Sequence, residues 1–148
     1  MSIFEYKKGT LHAENISLSK LAAKYGTPLY VYSKQHLVNQ FNQLSNAFAD
    51  LKPLICYSVK ANSNKTIIKT FAKMGSGFDI VSGGELFRAL NAGADPAKIV
   101  FAGVGKTYDE ILCALREKIL FFTVESEPEA QRISQCARKL KTKARIAF

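Results

Sequence analysis

Residues 54–65, LICYSVKANSNK, run apolar for a strand length and then deliver Lys60 into a polar turn. The same rhythm recurs along the chain. Short, β-rich apolar runs begin at residues 54 (LICYSV), 78 (FDIVS), 99 (IVFAG), 120 (LFFTVE) and 144 (ARIAF), spaced by 24, 21, 21 and 24 residues. Between them, apolar residues fall at helical spacing: Ile67, Ile68, Phe71 and Ala72; Leu86, Phe87 and Leu90; Ile111, Leu112 and Leu115; Ala130, Ile133, Ala137 and Leu140. Asn64 is placed to cap the helix opening at Lys65, Ser126 or Glu127 precedes Pro128 in a first turn, and Gly75 and Gly93 close their helices. Strand alternating with helix at this period predicts parallel strands joined by right-handed crossovers and covered on both faces. Two architectures satisfy that pattern, an open doubly wound sheet or a (β/α) barrel.

Upstream of residue 54 the character differs. IFEYKKGTLHAENI reads as a short hairpin around Lys8 and Gly9, LSKLAAKYG as a helix, and PLYVYS after Pro28 as a strand. A helix follows with Leu37, Val38, Phe41, Leu44 and Phe48 on one face. Residues 1–27 are therefore expected to form a lead-in of hairpin and helix, and residues 28–148 a partial (β/α) barrel.

A chain of 148 residues, 47% hydrophobic and 22% charged, has the composition of an ordinary globular domain with a substantial core. MSIFEYKKGT lacks the build of a signal peptide, and the apolar runs fall far short of the ~20 residues of a membrane span. A cytoplasmic protein with no membrane partner is expected. Cys56, Cys113 and Cys136 stand far apart, with only His12 and His36 to complement them, so no metal site is expected. The net charge of +9 is concentrated in ARKLKTKAR (137–145), where Arg138, Lys139, Lys141, Lys143 and Arg145 fall at the expected end of a helix and complement its dipole. No aromatic residue interleaves with them to stack on bases, so no nucleic-acid partner is expected.

Two glycine-rich stretches imitate nucleotide motifs. GVGKT (103–107) ends like a phosphate-binding loop, but Val100 stands where the first glycine belongs. GSGFDIVSGG (75–84) has Ile80 in place of the third glycine of a dinucleotide fingerprint. Lys60 is the more informative residue. Alternation along the strand puts Cys56, Ser58 and Lys60 on one face, with the lysine last, at the C-terminal end where α/β folds build their sites. A lysine ammonium titrates near ~10.4 in water, whereas Schiff-base chemistry needs the free amine, which the mouth of a low-dielectric cavity favours.

YSVKANSN (57–64), GSGFDIVSGGEL (75–86), VFAGVGKTYDEI (100–111) and TVESEPE (123–129), in that order and at those distances, closely resemble the diaminopimelate decarboxylases. These are fold-type III pyridoxal-phosphate enzymes of the alanine racemase and ornithine decarboxylase superfamily. The resemblance extends from GTPLYVYS (26–33) to the end, and the SGGEL wording favours the diaminopimelate branch. It implies a (β/α)8 barrel of which about the first five βα units are here, pyridoxal 5'-phosphate as cofactor, Lys60 as the Schiff-base lysine, and Asp79 and Glu85 as acidic residues near it. The implied reaction is decarboxylation of meso-2,6-diaminopimelate to L-lysine by a homodimer. Other readings are an ornithine or arginine decarboxylase, a racemase of the same fold, or a non-catalytic pyridoxal-phosphate-binding protein. In the family, KARIAF (143–148) would be the fifth barrel strand, continued by Arg-x-Asn-Pro and by most of the cofactor- and substrate-binding residues. The 148 residues are accordingly expected to be an N-terminal portion, inactive alone.

Overall fold

The structure, a computed structural model, describes residues 3–148. The chain divides between Leu51 and Lys52 into two compact units. In the first, β1 (Phe4–Lys7), β2 (Thr10–Ala13) and β3 (Ile16–Ser17) form an antiparallel sheet, followed by α1 (Leu18–Tyr25) and α2 (Lys34–Ala47). Lys8 and Gly9 both take positive φ, 51° and 79°, the backbone a two-residue hairpin turn requires. Ser33 caps α2, and its hydroxyl donates to Glu14 Oε1 at 2.6 Å. The strand expected at PLYVYS does not form. Its β-branched and aromatic residues favour extended backbone, but a strand also needs a ladder partner, and the sheet of this unit is only β1-β2-β3.

The second unit holds the repeat. It runs β4 (Cys56–Ser58), α3 (Lys65–Lys73), β5 (Gly77–Ile80), α4 (Gly83–Asn91), β6 (Ile99–Phe101), α5 (Tyr108–Glu117), β7 (Phe121–Thr123), α6 (Glu127–Lys139) and β8 (Ile146–Ala147). All five strands are parallel, and their spatial order β4-β5-β6-β7-β8 is their order in the chain. A doubly wound sheet reverses direction at a switch point. None occurs here, and the helices pack in succession, α3 on α4, α4 on α5 and α5 on α6. This is the arrangement of an incomplete (β/α) barrel.

Sequential order has a consequence for the strand faces. Phe78, Ile80, Ile99, Phe101 and Phe122 are buried at 1% exposure or less. Alternate positions Ser58, Asp79, Val100, Phe121 and Thr123 are only half-buried. The expectation of strands covered on both faces is therefore corrected: helices cover one face, and the other is the concave side of the partial barrel. The apolar runs are continuous in sequence because phenylalanine and valine also occupy that second face. Against the covered face lie Ile67, Ile68 and Phe71 of α3, Leu86 of α4, Ile111 of α5 and Ile133 of α6, each contributing roughly 1.5–3 kcal/mol on burial.

Helix boundaries follow local chemistry. Asn64 Oδ1 accepts from Thr66 N at 2.8 Å to open α3, and Ser126 caps α6 with Pro128 in its first turn. Gly75 and Gly93 follow α3 and α4 at φ 82° and 90°, where a side chain would be strained.

Gly77 is required for a different reason. A Cβ there would stand 2.6 Å from Cys56 Sγ and 2.7 Å from the Lys98 carbonyl oxygen, so β4 and the segment entering β6 could not keep their places. Gly77→Ala is expected to destabilise the chain by about 1–3 kcal/mol. Gly84→Ala, whose Cβ meets only Ser82 Oγ at 3.8 Å, is expected to leave stability unchanged or raise it. Urea denaturation midpoints of the two variants check this contrast.

Candidate functional site

The site is built at the C-terminal ends of β4–β7. Lys60 does not continue β4, as alternation suggested: the strand ends at Ser58, and Val59–Ala61 form one turn of 3-10 helix. That turn is anchored from below. Val59 is fully buried, while Lys60 beside it is exposed. Tyr57 stacks on Phe71 with ring centroids 4.4 Å apart, and its hydroxyl donates to the Asn62 carbonyl at 3.0 Å. Asn62 Oδ1 in turn accepts from Asn64 N at 2.9 Å. The words of YSVKANSN thus divide their work: Tyr57, Val59, Asn62 and Asn64 hold the turn, and Lys60 is presented by it. The turn packs on β5 and α4. Lys60 Nζ makes no hydrogen bond or ion pair among the described residues.

Asp79 lies beside Ser58 in the β4–β5 register, and accepts a hydrogen bond from Ser58 Oγ at 3.1 Å. The pair forms a polar patch on the concave face at the strand ends. Burial, and then the charge of Asp79, push the Cys56 thiol up, which disfavours the reactive thiolate. Glu85 occupies the first turn of α4, where Ser82 Oγ accepts from its N–H at 3.2 Å and its own Oε2 accepts from Val81 N at 2.8 Å. The geometry therefore places Asp79 beside the β4 end and Glu85 at the mouth of α4, with the Lys60 turn packed against both elements. No hydrogen bond or ion pair joins the three side chains among the described residues.

The spacing Ser/Thr-x-x-Glu opens three helices, at 82–85, 107–110 and 126–129, and each carboxylate has a structural task there. In α5 the capping box is reciprocal: Thr107 Oγ1 accepts from Glu110 N, and Glu110 Oε2 accepts from Thr107 N at 2.9 Å. In α4 and α6 the glutamate reaches one residue further back, to Val81 N and to Glu125 N at 2.8 Å. Glu110 and Glu129 also reach sideways to the preceding βα loop. Glu110 Oε1 accepts from Gly83 N at 2.6 Å, and Glu129 Oε1 pairs with Lys106 Nζ at 2.7 Å. The Ser/Thr-x-x-Glu spacing ahead of an apolar helical run is the local sequence signal for all three.

A cavity of about 300 Å³ lined by Ala97, Leu115, Lys118, Phe122, Lys143 and Arg145 opens at the other end of the sheet, before β6, β7 and β8. Those cations, two of them from the basic tail, stand away from Lys60. Among the described residues no cluster of His, Cys, Asp and Glu could hold a metal ion, and no helix is long and apolar enough to cross a membrane.

Residues 34–148 match the family described as the pyridoxal binding domain of pyridoxal-dependent decarboxylases. The chain belongs to this family. Its curated relatives include the diaminopimelate decarboxylases of Vibrio cholerae, 52% identical over all of this chain, and of Aquifex aeolicus, 49% identical over 97% of it. The chain spans only 36% and 34% of their lengths, about a third. A crystal structure of diaminopimelate decarboxylase from M. jannaschii in complex with L-lysine superposes with a TM-score of 0.94 at 36% identity, over 98% of this chain and 35% of that one. A lysine/ornithine decarboxylase from Vibrio vulnificus shares the fold at 19% identity and a TM-score of 0.75.

The Glu110 clamp yields a pH prediction. Partial burial pushes its carboxyl up, but the N–H groups of Gly83 and Thr107 and the Thr107 hydroxyl outweigh this and hold it below the ordinary carboxylate value. A depressed folded-state value stabilises the fold above the unfolded carboxyl's pKa of about 4.3, and the contribution is lost as pH falls through the lower folded value. Glu110→Gln is therefore expected to lower Tm at pH 7, with the gap from the parent narrowing as pH falls below about 4.3. Thermal melts at a series of pH values check it.

Proposed function

We propose that this chain is the cofactor-anchoring part of a diaminopimelate decarboxylase, with Lys60 as the covalent attachment point for pyridoxal phosphate. The observation that carries this reading is the contrast between the two lysines of the βα loops. Lys106 is 2% exposed and takes three oxygen partners at 2.7 Å, whereas Lys60 is exposed on an anchored turn with its amine unpartnered among the described residues. Of these two, Lys60 is the one placed to meet an aldehyde. When bound, pyridoxal phosphate supplies an electron sink for the electron pair left by departing carbon dioxide.

The remaining residues fit that group. Asp79, accepting from Ser58 Oγ, sets negative charge at the strand ends, which favours a cationic group nearby and is itself held by the hydroxyl. Glu85 adds a second carboxylate in the first turn of α4, fixed by Val81 N. Buried Val59 and the Tyr57 hydroxyl hold the turn from which the Lys60 amine acts. For the cofactor we place the functional boundary at residue 28, with 1–27 as lead-in; the family match from residue 34 onward supports this, although chain contacts group α2 with the lead-in. The substrate assignment rests on the relatives: identities of 36–52% are to proteins named diaminopimelate decarboxylase, whereas arginine and lysine/ornithine decarboxylases stand at 19–23%. A homodimeric, cytoplasmic enzyme acting on meso-diaminopimelate is the corresponding whole-protein reading.

The 148 residues alone are expected to release no carbon dioxide from meso-diaminopimelate. Joined to the remaining length of the Vibrio cholerae relative, they are expected to form L-lysine, to ignore ornithine and arginine, and to lose turnover by orders of magnitude on Lys60→Ala. Carbon dioxide release measures each. Retained turnover in the Lys60→Ala hybrid would refute the assignment.

A further inference from the structure

Lys106 is the largest charged side chain buried in the second unit, and the reaction proposed above does not use it. Its ammonium contacts the Gly103 carbonyl, the Thr123 carbonyl and Glu129 Oε1, each at 2.7 Å. Glu129, 6% exposed, uses its other oxygen to accept from Glu125 N at 2.8 Å. Arg132 Nη1, one turn along α6, donates to the Lys106 carbonyl at 3.2 Å. Three pieces of backbone meet at one ammonium: the β6–α5 loop, the last residue of β7 and the first turn of α6. All three are at the C-terminal ends of the strands, the same rim as Lys60.

Removing an ammonium and a carboxylate from water is costly, and a well-packed apolar pair of similar volume often does as well or better for stability. Stability is thus a weak reason for this pair to be charged. What an apolar pair could not do is hold two carbonyl oxygens. The Gly103 and Thr123 carbonyls both accept from the ammonium, and an oxygen that loses its donor while buried is costly enough to move its loop. Gly103, at φ 89°, lies next to the residue that follows β5, since a Cβ added to it would come into ordinary contact with Val81 at 3.5 Å.

We propose that Lys106, held by Glu129, is a positioning residue that fixes the β6–α5 and β7–α6 loops on the rim where Lys60 receives its cofactor. This rests on the reading of Lys60 given above. The test compares Lys106→Met with the double variant K106M/E129M. The single variant strands a buried carboxylate and is expected to melt well below the parent. The double variant removes both charges and is expected to recover most of that Tm. Two readouts are then taken on the parent and the double variant: amide hydrogen exchange, and the yield of borohydride-fixed adduct at Lys60 after exposure to pyridoxal phosphate. Exchange in residues 103–107 and 124–126 is expected to stay about tenfold or more faster than in the parent while α3 remains protected, and the Lys60 adduct to fall relative to other exposed lysines. Parent-like exchange in both loops, or an undiminished Lys60 adduct, would overturn the proposal. If the parent itself forms no preferred adduct at Lys60, the reading of Lys60 fails, and the exchange result alone decides whether Lys106 positions the loops.

Discussion

Each βα unit of the second domain packs the same strand face against helices, and the rest of the structure depends on that one-sidedness. Phe78, Ile80, Phe101 and Phe122 project toward α3–α6, and the Phe101 and Phe122 rings stack at 5.9 Å. Because every crossover returns on the same side, successive strands add in chain order and their C-terminal ends line one rim. The other face is then free to carry polar groups at its mouth. Ser58 and Asp79 sit there as register neighbours, a placement that would be costly in a sheet buried on both faces.

Beyond the apolar anchoring of the Lys60 turn by Val59 and Tyr57, that rim is held together by charge and capping. Glu110 joins the α4 and α5 entrances through Gly83 N, and Lys106 joins the β6–α5 loop to β7 and α6 through Glu129. The close approach is visible in Gly83 itself, where a Cβ would stand 2.9 Å from Glu110 Cγ. Loops carrying small residues and short strands have little apolar surface with which to fix themselves. Paired charges and shared backbone donors supply the missing constraint, and leave Lys60 as the exposed amine of the turn after β4.

Much of this was legible in the residues. The five strands and four intervening helices announce themselves by apolar period, and Asn64, Ser126, Gly75 and Gly93 mark helix ends as capping chemistry requires. Lys60 stood out because a charge at the end of an apolar strand is conspicuous. Its exact setting was less legible: alternation extended β4 through residue 60, whereas burial of Val59 and the Tyr57–Asn62 hydrogen bond turn the chain after Ser58. The choice between barrel and doubly wound sheet was not decided by periodicity, since both give the same alternation and differ only in which side each crossover takes. PLYVYS misled because composition reports a preference for extended backbone and not the presence of a neighbour. Lys106 was passed over because GVGKT was weighed only as a phosphate loop; its partner Glu129 lies 23 residues away, beyond any local pattern.

The central claim is that the turn after β4 exists to present one amine. Its most direct test is incubation of the protein with pyridoxal phosphate, reduction with borohydride, and peptide mapping by mass spectrometry across a concentration series. The account predicts that the pyridoxyl group appears first on Lys60, at the lowest concentration giving any adduct, and that Lys106 stays unmodified while the fold is intact. An adduct that forms first on another lysine, with Lys60 labelled no faster than the exposed lysines of α6 and the basic tail, would contradict it.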